Sequence, residues 1–70
     1  MESMNAEIRE EFEKVVNKYG VDLLYMIFNI QGSVDIKLSS NIYYKSQEDM
    51  MNELNKIYPV NDVAFEEVIY

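Results

Sequence analysis

The chain has no histidine, no cysteine and only two glycines. Each absence excludes something. Without cysteine there is no disulfide staple and no thiolate metal site. A small secreted domain more often carries bridges, so a cytoplasmic location is the expectation. Without histidine, general acid–base chemistry falls to carboxylates, lysine or tyrosine. The glycines build no phosphate cradle, since neither sits in a Gly-rich turn before a helix.

Positive charge is scarce as well. Six amines face thirteen carboxylates, for a net charge of −7. The amines stand apart at Arg9, Lys14, Lys18, Lys37, Lys45 and Lys56. Nucleic-acid affinity comes largely from lysine and arginine neutralising phosphates. Direct binding to DNA, RNA or an anionic membrane is therefore not expected. The first five residues lack the basic and apolar regions of a signal peptide. The longest apolar run, Leu23 to Phe28, is far below the ~20 residues of a spanning helix.

What is present suffices for one domain, residues 1–70. Residues 1–4 are expected to be disordered, or Met1 to Ser3 appended with Met4 as the natural start. Hydrophobic residues make up 49% of the chain, enough to fold. A chain this short still buries only about 60% of its unfolded surface, so its stability margin is thin.

Ile8, Phe12, Val15, Val16 and Tyr19 recur at helical spacing and predict a helix over Asn5–Tyr19. Asn5 can cap it, and Lys18 followed by Gly20 can end it. Val21–Ile30 predicts a strand that is mostly apolar on both faces, the usual mark of a central strand. Gln31-Gly32-Ser33 predicts a turn. Val34–Tyr44 predicts a second strand, with Val34, Ile36, Leu38, Ile42 and Tyr44 on one face and polar residues opposite. Ser46 opens a second helix whose stripe is Met50, Met51, Leu54, Ile57 and Tyr58, ended by Pro59. Val60–Tyr70 predicts a third strand.

The expected fold is α+β, ordered α-β-β-α-β in two layers. Its three-stranded sheet is expected to be mostly antiparallel, in order 2-1-3, with both helices packed on one face. The middle strand would then show apolar side chains to an uncovered side. That open sheet face is expected to be an interface formed by Tyr43, Phe28, Val68 and Tyr70, with Tyr43 foremost because its strand face is otherwise polar.

Catalysis is not expected. The acid pairs Glu10-Glu11, Glu48-Asp49 and Glu66-Glu67 are sequence neighbours, which diverge on a helix or strand and form no dyad. Asn61-Asp62 lacks the glycine-bearing loop of a calcium or magnesium site. No cofactor or metal is expected. The remaining feature is acidity: Glu7, Glu10 and Glu11 on the first helix, and Glu48, Asp49 and Glu53 on the second. Sharing one layer, they would form a continuous negative surface. The expected function is a non-enzymatic protein-interaction domain. Its most definite form is an acidic, nucleic-acid-mimicking inhibitor of a basic DNA- or RNA-binding protein, from a phage or other mobile element. The alternative is a small structural homodimer or assembly subunit whose acidity serves solubility alone.

Overall fold

The computed structural model describes residues 4–40 and 44–67. Five elements follow in the expected order: α1 (Met4–Lys18), β1 (Leu23–Phe28), β2 (Val34–Ser40), α2 (Tyr44–Ile57) and β3 (Val60–Glu67). The fold is α+β with a three-stranded mixed sheet.

α1 ends where its sequence says it must. Gly20 takes φ 78°, its N–H donates to the Asn17 carbonyl at 3.0 Å, and the Val21 N–H donates to the Val16 carbonyl at 3.0 Å. This is the paired bonding of a Schellman cap. Buried Val21 and Val16 supply the hydrophobic contact that accompanies it. At the other end the helix starts at Met4, which places Asn5 inside the first turn.

β1 and β2 form an antiparallel hairpin. Asn29 N–H donates to the Ser33 carbonyl at 2.8 Å, and Gly32 N–H donates to the Asn29 carbonyl at 3.1 Å. The loop is therefore Ile30-Gln31-Gly32, with Gly32 at φ 92° in the position that needs a left-handed residue.

Sheet order differs from expectation. It is β1-β2-β3, not 2-1-3, and β3 runs parallel to β2. The helix between them sets the direction of β3, and the Val34 N–H, donating to the Pro59 carbonyl at 3.0 Å, fixes its place beside β2. α2 has 14 residues and β2 has 7. At about 1.5 Å and 3.3 Å per residue both span roughly 20 Å. The helix thus returns the chain to the start of β2, where Val60 pairs with Val34. β3 then runs beside β2 without crossing another strand. The doubly apolar β1 is left at the border.

Tyr44, assigned from the alternation to the second strand, instead opens α2, while Ile42 lies outside the described residues. The core gathers Phe12 and Val16 from α1, Val21, Leu23 from β1, Val34, Ile36 and Leu38 from β2, and Met50 and Leu54 from α2. All are apolar, and no described polar or charged residue is buried.

Candidate functional site

Among the described residues, three of the exposed large apolar side chains lie on β1. Its register slips between Leu23, opposite Leu38, and Tyr25, opposite Lys37, so Leu24 is an inserted residue. A bulge of this kind resets the alternation of side chains. Leu23, Met26 and Phe28 pair with the core residues Leu38, Ile36 and Val34. Leu24, Tyr25 and Ile27 are left 43%, 44% and 54% exposed. In the adjoining hairpin loop Ile30 is fully exposed.

The backbone of β1 is also turned outward in part. At Asn29 the N–H points to Ser33, on the β2 side. Polar groups of alternate residues point the same way in a strand, so those of Ile27 and Tyr25 also face β2. Met26 and Phe28 therefore direct their N–H and C=O away from the sheet. No described strand pairs with that border.

Beside this apolar strip the outer face of the sheet is polar and internally bonded. Lys37 Nζ lies 5.9 Å from the Tyr25 ring centroid and 3.3 Å from Glu66 Oε1. One row on, Ile27, Asp35 and Asp62 stand side by side. Asp35 Oδ1 accepts hydrogen bonds from Asn29 Nδ2 at 3.2 Å and Asn61 Nδ2 at 3.0 Å, tying the hairpin loop to the start of β3.

Phe28, expected on the open face, sits on the core side. It pairs with Val34 and meets Tyr58 edge to face at 5.6 Å between centroids. The bulge is the reason: Val21 and Leu23 face the core as the alternation requires, and the inserted Leu24 then switches the parity and brings Met26 and Phe28 to that same side. Tyr43, Val68 and Tyr70 lie outside the described residues.

The acids divide into two groups. Glu7, Glu10, Glu11, Glu48 and Asp49 are exposed. Glu53 is engaged between the helices, where Lys18 Nζ donates to its Oε1 at 2.6 Å and the Tyr19 hydroxyl donates to its Oε2. These bonds, from Lys18 first and then Tyr19, lower its pKa below the ordinary carboxylate value. The hydrogen bond to Glu53 also pushes the Tyr19 phenol up to about 12, with burial and the charges of Glu53 and Asp49 adding to it. Along α1, Glu11 pairs with Lys14 at 3.7 Å and Glu13 with Arg9 at 3.6 Å. Between the helices, Glu53 is thus bonded by Lys18 and Tyr19.

The apolar exposed residues Leu24, Tyr25 and Ile27 were absent from the sequence-based interface. Their signal was present: no charge and no proline between Leu23 and Phe28. Such a run was assigned to the middle of the sheet, where it would be covered. Among the described residues no cluster of acids able to hold a metal ion occurs, and no helix is long and apolar enough to cross a membrane. No protein-family model, curated protein or solved structure matches the chain.

Proposed function

We propose that the protein is a non-enzymatic protein-interaction domain that docks through the border of β1 and the side chains Leu24, Tyr25 and Ile27. One observation carries this reading: an edge strand whose outer border pairs with no described strand, with three exposed apolar side chains and no charge within it. Edge strands are templates for another strand, and proteins blunt them with lysine, proline or a bulge. β1 has no lysine or proline, and its bulge at Leu24 leaves Tyr25–Phe28 in regular register. The reading takes both helices as one layer on the side of Val34, Ile36 and Leu38. Phe12 and Val16 of α1 and Met50 and Leu54 of α2, buried in one cluster with those three residues, support that layering.

The test places a photo-reactive benzoylphenylalanine at Tyr25 or, separately, at Glu10. Irradiation in native lysate is expected to give a discrete protein adduct from position 25. Adducts from position 10 alone would overturn the reading.

A second reading keeps the acidic inhibitor of a basic, nucleic-acid-binding protein. The exposure of Glu7, Glu10, Glu48 and Asp49 favours it. It predicts binding that weakens as salt rises and is abolished by reversing Glu7, Glu10 and Glu48 to lysine. Capture unaffected by either change would eliminate it.

A further inference from the structure

Resting on the docking reading above, we infer that the occupant of the β1 border is an extended basic segment of another protein. It carries a lysine or arginine opposite Ile27 and an uncharged residue opposite Tyr25. Charge selects this class of partner. Asp35 and Asp62 are direct neighbours on β2 and β3, in the row that starts with Ile27 at the border. Among the described residues neither makes an ion pair. Asp35 has only the neutral amides of Asn29 and Asn61, both on Oδ1. Lys37, the single cation on the described strands, lies one row away and is held by Glu66 at 3.3 Å. The row behind Ile27 is thus doubly negative and has no counter-charge of its own.

A strand added at the border sets one side chain beside Ile27 on the same outer face. Two strand spacings, or about 10 Å, separate that residue from Asp35. A lysine or arginine stem lies along the exposed Ile27 side chain and brings its charged end to the Asp35 carboxylate, as long cationic side chains do on apolar surface. Asp62 adds its field from behind. The next row differs. There Tyr25 backs on Lys37, whose Nζ sits 5.9 Å from the ring centroid. A cation opposite Tyr25 meets like charge, whereas an aromatic or branched aliphatic residue packs on the ring. The main chain of the segment is bound by Met26 and Phe28, whose N–H and C=O face outward.

The net charge of −7 draws such a segment in at long range and turns an acidic one away. The opposite border fits less well. β3 carries acids too, but none of the exposed large apolar side chains lies on it. β1 combines the apolar strip with carboxylates one strand behind it. These are not the helix acids of the second reading, since Glu7, Glu10 and Glu48 take no part in the contact.

The test uses the full chain and three short synthetic peptides, capped at both ends. Each is threonine-rich with one valine. Two residues from the valine stands lysine, glutamine or glutamate. Backbone amide shifts of the isotope-labelled chain report binding. In about 0.1 M salt, where the Debye length is ~10 Å, the lysine peptide is expected to shift the Met26 and Phe28 amides. It is expected to bind about threefold tighter than the glutamine peptide, the scale of one exposed ion pair. The glutamate peptide is expected to bind weakest. In about 1 M salt, where the Debye length is ~3 Å, the three converge. Asp35→Asn keeps an oxygen for Asn29 and Asn61 and loses the charge, and Asp62→Asn changes an exposed side chain. Each is expected to shrink the advantage of the lysine peptide and to leave the glutamine peptide unaffected. Chain made by synthesis with an N-methyl group on Met26 is expected to bind none of them, with an unchanged circular dichroism spectrum.

A glutamate peptide that binds as tightly as the lysine peptide overturns the inference. So does a lysine advantage that survives both aspartate changes, shifts confined to β3 or the helices, or no binding by any peptide. The photo-probe at position 25 keeps the two readings apart, because its adduct can be sequenced. An adduct on an acidic or uncharged segment leaves the docking reading standing and overturns only the basic occupant. If no peptide binds and no adduct forms at position 25, both fall.

Discussion

The phenol of Tyr19, just beyond the end of α1, donates a hydrogen bond to the carboxylate of Glu53 on α2. Lys18 holds the other oxygen of the same carboxylate. The helices are thereby joined by a clamp that needs Glu53 ionised and Tyr19 protonated.

The clamp predicts two pH limits. Glu53 has a folded pKa below its ordinary 4.5. Its contribution is complete above that value and is lost as pH falls through the lowered one. Tyr19 has a folded pKa raised from 10.0 to about 12. Its contribution is complete below 10.0 and is lost as pH rises through about 12. Thermal midpoints measured against pH should fall at both extremes. Tyr19→Phe should flatten the alkaline fall, and Glu53→Gln should flatten the acid one. Curves parallel to the parent's at both ends would refute the assignment.

Gly20 predicts a backbone penalty with no steric part. Its φ is 78°, and an added methyl group would meet nothing within 4 Å. Gly20→Ala should therefore destabilise by about 1 kcal/mol, the ordinary cost of a left-handed alanine. Gly20→Asn should cost less, because asparagine tolerates that region. Urea unfolding would measure both, and equal losses would show that crowding matters after all.

Phe12 and Ile27 predict opposite extremes for large apolar side chains. Phe12 is fully buried and Ile27 is more than half exposed. Phe12→Ala should cost about 3–5 kcal/mol through lost burial and a cavity. That is a large share of the margin of so small a domain. Ile27→Ala should cost the monomer no more than about 0.5 kcal/mol. Denaturant titration at a concentration too low for association would test the pair. A large loss at Ile27 would mean that its face is covered within one molecule.

Much of the architecture was legible from local rules. The stripe of Ile8, Phe12, Val15, Val16 and Tyr19 marked α1, and Gly20 marked its end. The alternation from Val34 to Leu38 marked the face of β2 that is buried. Pro59 marked the boundary between α2 and β3. Failures came where a local pattern had two global solutions. An apolar run such as Leu23–Phe28 suits a covered central strand, and it equally suits a border that meets another chain. Tyr44 continued the alternation of β2, yet it lies in the first turn of α2. The engagement of Glu53 was not legible, because the Lys18–Glu53 contact joins residues 35 positions apart.

Composition and periodicity alone determined that this chain forms two amphipathic helices and three short strands, with acidic side chains in excess and no histidine or thiol chemistry. These are properties of short segments, settled by side-chain spacing and by turn residues. Only the tertiary structure decided which strand lies in the middle, because the helix fixes the direction of β3 but not which neighbour it pairs with, and β3 pairs with β2. That pairing leaves β1 at the border, and the inserted Leu24 then turns two adjacent apolar residues outward. Neither outcome is encoded within any one segment, since strand order is a relation between segments distant in sequence.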